Sequence, residues 1–368
     1  MASTGFEPLN LLRKLVETES PSHDKAAVDN VGQIVREECA SSGADVETVP
    51  QSSVGDHLVA RWGTGTGGIL LLHHMDTVFP LGTLNSMPFI QKDDKTYGPG
   101  VLDMKGGIVV TLSAIRHLRH EKRMPSRPVT VLFTSDEEIG SDSSRTLIEK
   151  LARESALVMV LESGLVDGSL KVWRKGVGEF LVKVHGRASH AGGAHEAGRN
   201  AIQEMAHQVL AIQAMTDYGK GTTLNVGIIK GGTASNVVPA ECEIDVDYRV
   251  LVPDEAERIN TGMASLKPVT PGTSIAVSGG LNRPPMPNDD AMKRTFEKAS
   301  QIASGIGMKI TAGGSGGGSD ANFVAPLGIP VLDGLGTFGE GYHSEREYIF
   351  TESLFSRAAL VAELISRW

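Results

Sequence analysis

Gly67-Gly68-Ile69-Leu70-Leu71-Leu72-His73-His74-Met75-Asp76 is a continuous apolar run that opens on glycines and closes on polar residues. It lacks the apolar–polar alternation of a half-exposed strand. Such a run suits a strand buried on both faces, in a parallel or mixed sheet with helices on each side. The flanking sequence agrees. Leu9, Leu12, Leu15 and Val16 stand at helical spacing within 6–19, and Ser20-Pro21-Ser22 ends that helix. A second helix is expected over 23–41, strands over 45–49 and 57–62, a helix over 104–120, a strand over 129–135, a helix over 143–153 and a strand over 157–162. Strands alternating with helices of this length predict an α/β layered domain.

The texture changes near Val172. Residues 177–184 alternate apolar and polar, as a half-exposed antiparallel strand does. A long helix over 197–215 follows, then strands over 223–229 and 241–250, a helix after Pro253 and a strand over 274–277. Strand-helix-strand-strand-helix-strand is the order of a ferredoxin-like α+β domain. Long helices resume after Arg283-Pro284-Pro285, over 289–304 and 353–366. The expected organisation is a mixed-sheet α/β catalytic domain (1–175 and 285–368) with an inserted ferredoxin-like lid or dimerisation domain (176–284).

Composition narrows the partners. The 35 basic and 44 acidic residues give a net charge of −9, which disfavours nucleic acid and anionic membranes. Cys39 and Cys242 are far apart in sequence and read as free thiols of a reducing compartment. Residues 1–17 lack a basic segment followed by an apolar one, so no signal peptide is expected. No apolar run approaches the roughly 18 residues a membrane helix needs. The expectation is a cytoplasmic enzyme acting on a small molecule.

Acidic and imidazole groups gather where chemistry is expected. His74 and Asp76 close the buried strand; residues i and i+2 share a face, so Asp76 is placed to steady the His74 imidazole. Asp136-Glu137-Glu138 follows a second buried strand, and Glu162 ends a third. The carboxyl ends of sheet strands are where α/β folds place their sites. Asp103 lies in Tyr97-Gly98-Pro99-Gly100-Val101-Leu102-Asp103-Met104-Lys105-Gly106-Gly107, between a glycine-rich turn and an apolar helix. There a carboxylate serves as an ordinary helix cap or offers one oxygen to each of two metals. His343 sits in a glycine-rich loop. Two His, one shared Asp and two Glu form a mixed N/O donor set suited to zinc with a position left for water, cobalt or manganese substituting.

These motifs resemble the co-catalytic di-zinc carboxypeptidase and deacylase family that includes glutamate carboxypeptidases, acetylornithine deacetylase, succinyl-diaminopimelate desuccinylase and aminoacylase. His74-Met75-Asp76-Thr77-Val78, the Asp103 segment, Asp136-Glu137-Glu138-Ile139-Gly140-Ser141, Gly186-Arg187-Ala188-Ser189-His190-Ala191-Gly192 and Gly341-Tyr342-His343-Ser344 carry the likeness. The glutamate carboxypeptidase branch is the nearest. The resemblance implies two Zn2+ ions bridged by Asp103, with His74 and Glu162 completing one site and Glu138 and His343 the other. It further implies Glu137 as general base, Asp76 behind His74, a cis peptide after Asp103 and His190 as oxyanion donor. Asn236 and Arg249 would bind the substrate's carbonyl and carboxylate, and the run 313–318, Gly316 and Gly317 in particular, would line the carboxylate pocket. Arg283 is placed either to read a side-chain carboxylate or on the surface of a domain boundary. The implied activity is release of a C-terminal, glutamate-like amino acid from a peptide, folate-like or N-acyl conjugate by a homodimer whose second domain closes over the site. An acyl-amino-acid deacylase or a dipeptidase is the alternative within the family. A binding protein without catalysis and a two-metal phosphoesterase are the alternatives outside it. His73 stands where small residues are usual in the family.

Overall fold

The seven residues of Gly68–His74 form one strand, and every one of them is buried. The computed structural model describes residues 6–368. Across the large sheet the strand order is Asp45–Val49, His57–Trp62, Val129–Thr134, Gly68–His74, Ser155–Val160, Val331–Asp333, Leu170–Arg174 and Ala312–Ser315. Gly68–His74 runs parallel to both neighbours, while the His57–Trp62 side is antiparallel, so the sheet is mixed. The two faces of the central strand serve different helices. Ile69 and Leu71 join one core with helices Pro8–Glu17, Lys25–Ser41, Gly106–His120 and Ser353–Arg367. Leu70 and Leu72 are equally buried but stand outside that core. His73 follows the odd-numbered pattern: its ring stacks on Phe133 at 5.1 Å, and its Nε2 pairs with Thr111 Oγ1 at 3.0 Å. It is a packed core histidine.

Helix boundaries are set by capping groups. Lys25–Ser41 begins after Asp24, whose carboxylate accepts the Ala27 N–H, two residues later than its apolar pattern starts. Gly106–His120 also starts late. Residues Val101–Lys105 form a single wide turn in which Asp103 and Met104 leave helical geometry, with φ/ψ of −118/93° and −129/38°. The Asp103–Met104 peptide there is cis. Four short strands, Gly339–Glu340, Tyr348–Phe350, Lys95–Tyr97 and Ile90–Lys92, form a separate small sheet that joins the chain before Asp103 to the chain after His343. The run 313–318 is not one loop, since Ala312–Ser315 is a sheet strand. Gly314 lies flush on the Trp173 ring, with no room for a β-carbon.

Backbone contacts divide the chain into two units. The first runs to Trp173 and resumes over Asn288–Ser315 and Ser319–Trp368; the second is Arg174–Pro287 together with Gly316–Gly318. The second unit is a four-stranded antiparallel sheet in the order Thr223–Gly231, Glu241–Val250, Gly176–His185, Ser274–Arg283. Helices Ala201–Gln213 and Pro253–Ala264 share its core through Ala201, Met205, Ile212, Ala256, Ile259 and Met263. Alternate residues of Gly176–His185 are buried, as its sequence pattern requires. The helix expected over 197–215 is shorter because Asn200 caps it, accepting the Gln203 N–H.

One buried carboxylate ties the second unit together. Glu255 accepts from Arg258, from Lys220 Nζ at 2.9 Å and from Thr222 Oγ1 at 2.8 Å. The Arg258 hydrogen bonds, with those of Lys220 and Thr222, hold its pKa down at about 2 against burial.

Two outcomes follow. A β-carbon at Gly107 would overlap the carbonyl oxygen of Leu161, forcing the helix that follows Asp103 away from the strand end that carries Glu162. Gly107→Ala should therefore cost about 1–3 kcal/mol in urea denaturation. Glu255→Gln should destabilise the protein near neutral pH. Because the folded carboxylate titrates below its unfolded value, the difference from wild type is complete above the ordinary Glu value of about 4.3. It shrinks as pH falls toward about 2. Denaturation midpoints across that range measure it.

Candidate active site

Three parallel strand ends deliver the first groups. In the register of the sheet His74 pairs with Thr134, and Leu72 with Val160. Counting on by twos, the alternation of strand side chains brings Asp136 just past the first pair and Glu162 level with His74. His74 Nε2 lies 3.4 Å from Glu162 Oε1 and 3.2 Å from Asp103 Oδ1. The other Asp103 oxygen, Oδ2, lies 3.3 Å from His343 Nε2, and that same nitrogen is 3.3 Å from Glu138 Oε2. Asp103 therefore turns one oxygen to each imidazole. Two donor clusters result, His74–Asp103–Glu162 and Asp103–Glu138–His343, each with its ligand atoms within 4.8 Å of one another.

Asp76 does more than the sequence expectation assigned to it. The strand stops at His74, so positions 74 and 76 no longer share a strand face. The main-chain carbonyl of Asp76 meets His74 Nδ1 at 2.9 Å, while the nearer carboxylate oxygen stands at 3.5 Å. The carboxylate also accepts the Ser22 hydroxyl at 2.7 Å and the N–H groups of Glu137 and Glu138 at 3.3 Å. It fixes the backbone that carries both glutamates. Asp136 holds the turn beyond, accepting from Ser143 and from the Ser144 N–H.

The charges are strongly perturbed. Burial alone would depress His74, but its contacts with Asp103, Asp76 and Glu162 raise it well above the usual imidazole range. Burial likewise opposes ionisation of Asp103, yet His343 and His74 hold its carboxyl far below the usual range. Burial, with the Asp103 charge, pushes Glu138 up to about 7. Asp103 and Glu138 together raise His343 to about 10. Glu138 Oε1 is buried and makes no hydrogen bond. Carboxylates crowded beside imidazoles at 3.2–3.4 Å, with one buried oxygen unpaired, fit divalent cations of the zinc class.

The remaining sequence candidates lie in the second unit. His190 is exposed on a two-residue strand paired with Val237–Val238. Its Nδ1 accepts the N–H groups of Gly192 and Gly193 at 3.1 and 2.9 Å, which leaves the ring proton on Nε2. The Asn236 carbonyl accepts the Ala191 N–H at 2.9 Å, one residue from His190. Arg249 holds Asp247 through Nε and Nη2 at 2.6–3.0 Å. Arg283 is buried, its stem packed where a β-carbon of Gly318 would be, so it is not a surface arginine. The carbonyls of Gly317 and Gly318 accept from Arg174, and Gly316 has open space about it.

Sequence reasoning missed three groups that hold the site. Glu347 and Ser22 are buried against ligand-bearing segments, and Tyr342, itself exposed, sets its hydroxyl 2.5 Å from Ser163 Oγ beside Glu162. Glu345-Arg346-Glu347 reads as a solvated charged run, and a serine or tyrosine beside a motif carries no signal of its own.

Residues 70–367 match the model of the family described as Peptidase family M20/M25/M40. The chain belongs to this family. It is 32% identical over 380 residues to Carboxypeptidase G2 of Pseudomonas sp. (strain RS-16), covering 99% of this chain and 90% of that one. Acetylornithine deacetylase of Klebsiella pneumoniae is 26% identical over 385 residues, covering 97% and 96%. Among solved structures, aminopeptidase PepT of Bacillus cereus superposes with a TM-score of 0.75 at 26% identity, covering 98% and 97%. A Bacillus subtilis protein described as a dinuclear metal binding peptidase of the M20 family shares the fold, with a TM-score of 0.68 at 16% identity and coverage of 98% and 96%. As an M20-family member the chain is a metal-dependent hydrolase of the metallopeptidase and amidohydrolase type. No helix among the described residues is long and apolar enough to cross a membrane.

Chelator-treated protein reloaded with divalent metal should bind about two ions per chain and melt at higher temperature. Asp103→Asn should lower occupancy of both sites, and His343→Ala should leave about one ion, because the two clusters share only Asp103. Elemental analysis reads both outcomes.

Proposed function

We propose that the protein is a di-zinc carboxypeptidase that hydrolyses an amide bond to release a C-terminal, glutamate-like amino acid from a peptide, folate-like or N-acyl conjugate. The observation that carries the reading is Asp103, with one oxygen toward His74 and the other toward His343, in a chain of the M20 family. The relative named Carboxypeptidase G2 supports the carboxypeptidase assignment. Those named acetylornithine deacetylase support acyl-amino-acid deacylation as the second reading.

His74, Asp103 and Glu162 would hold one ion; Asp103, Glu138 and His343 the other. The chemistry two such ions supply when bound is acidification of a water and polarisation of a carbonyl oxygen. Glu137 is the proposed general base: it takes the proton from the attacking water and delivers it to the leaving amine nitrogen. Two features support it. Its backbone is fixed by Asp76, and its charge lies near enough to help raise His74. His190, with Nε2–H as donor, is proposed to stabilise the oxyanion. Arg249 is proposed to read the substrate carboxylate and Asn236 its carbonyl, with Gly316 and Gly317 lining that pocket and Arg283 held behind them. The guanidinium fork suits a carboxylate.

A homodimer is proposed as the working form. Thr223–Gly231 is an edge strand of its sheet, and it exposes Ile228 and Ile229; the neighbouring helix Ala201–Gln213 exposes Ile202 and Leu210. A second copy related by a two-fold axis meets such a surface with the same surface.

Glu137→Ala should keep its metal and fold while hydrolysis of acyl-glutamates falls by about 10²–10⁴. Rates across a panel of N-acyl amino acids test the substrate: absence of any preference for acidic C-terminal residues sinks the glutamate assignment. Ile228→Lys should shift the sedimentation coefficient to that of a monomer; a monomeric wild type removes the dimer.

A further inference from the structure

The loop that carries Asp103 is folded around a carboxylate from elsewhere in the chain. Glu347 Oε1 accepts the N–H groups of Leu102 at 2.7 Å and of Asp103 itself at 3.0 Å; Oε2 accepts the Gly100 N–H at 3.1 Å. Gly100, at φ +71°, adopts the left-handed conformation there, and Gly98, at +151°, also has positive φ. Backbone amides gathered in this way make an anion nest. Here the group that fills it is the protein's own carboxyl, and Glu347 has no exposed surface.

Glu347 is also tied to the other half of the site. Only Ser344, Glu345 and Arg346 lie between it and His343, and its own N–H donates to Ser344 O at 3.1 Å. Ser344 in turn donates to the Gly341 carbonyl through both its N–H and its hydroxyl, closing the turn in which His343 stands at φ +54°. Immediately after Glu347, Tyr348–Phe350 pairs with Lys95–Tyr97, so the two segments lie side by side. One carboxylate thus binds the turn of His343 to the loop of Asp103. These are the groups whose Nε2 and Oδ2 stand 3.3 Å apart.

We propose that Glu347 is a positioning residue for the metal pair: by holding the Gly100–Asp103 amides it sets Asp103 Oδ2 opposite His343, and metal affinity depends on it. The proposal rests on the two-metal reading of the site. It differs from a fold-stabilising role, because the small sheet and the packed helices around it make their own contacts. Hydrogen-bonding partners behind metal ligands typically change affinity about 10–100-fold when removed.

The test titrates chelator-treated protein with CoCl2, following heat release and the visible absorption of bound Co2+. Glu347→Gln keeps the side chain's shape but sets an amide NH2 where an oxygen faced N–H groups. It should bind Co2+ about 10–100-fold more weakly, with an altered Co2+ absorption band and a wild-type circular dichroism spectrum. Glu347→Asp, which keeps the carboxyl group on a shorter stem, should fall between the two. At saturating Co2+ the E347Q chain should regain most of its turnover. Wild-type Co2+ affinity and spectrum in E347Q overturn the positioning role while leaving the two-metal reading intact. Failure of both variants to fold overturns it too, by assigning Glu347 to the fold. A wild-type chain that takes up no Co2+ removes the two-metal reading and the proposal with it.

Discussion

The constraint on which the structure turns is the burial of Asp103 between two imidazoles. A carboxylate out of water is costly unless opposite charge or hydrogen-bond donors surround it. Asp103 finds both in the same two rings: its oxygens face the Nε2 atoms of His74 and His343. Yet Glu138 and Glu162 crowd the same nitrogens, and two imidazoles are poor compensation for three carboxylates. The arrangement is an electrostatic mould for cations, and the surrounding chain holds its parts in place.

Two carboxylates that touch no proposed substrate atom do much of that holding. Asp76 gathers the N–H groups of Glu137 and Glu138, and Glu347 gathers those of Gly100, Leu102 and Asp103. Each converts a loop, which would otherwise carry unsatisfied amides, into a fixed support for a reactive side chain. The parallel strands do the remaining work. A two-residue alternation, carried across three neighbouring strands in register, brings His74 and Glu162 level without any long-range adjustment.

That division explains what could be read from sequence. The buried strand Gly68–His74 announces itself by its unbroken apolar run, and the second unit by its alternation and element order. His74, Asp103, Glu138, Glu162 and His343 stand in recognisable motifs, and the structure brings them into the two clusters. Features set by tertiary contact were not legible. Periodicity carried Asp76 onto the strand face, but the strand ends at His74, so the imidazole meets the Asp76 carbonyl at 2.9 Å as well as its carboxylate at 3.5 Å. The four short strands of the small sheet have two or three residues each, too few for any period to show. The run 313–318 looks uniform in sequence. In the structure one end of it is a strand lying against Trp173, and Arg174 holds the carbonyls of the other.

Arg249 shows how a motif residue can be present and still be conditioned by its neighbour. Asp247 and Arg249 are two apart on Glu241–Val250 and share a face, so the pair forms within the strand itself. Three hydrogen bonds from Nε and Nη2 occupy one edge of the guanidinium. A planar fork has two usable edges, and bidentate recognition needs one whole edge. The edge through Nη1 and Nη2 is therefore the one a substrate carboxylate would address, sharing Nη2 with Asp247. If Arg249 reads the substrate carboxylate as proposed, discrimination there would follow from the direction of its two donors.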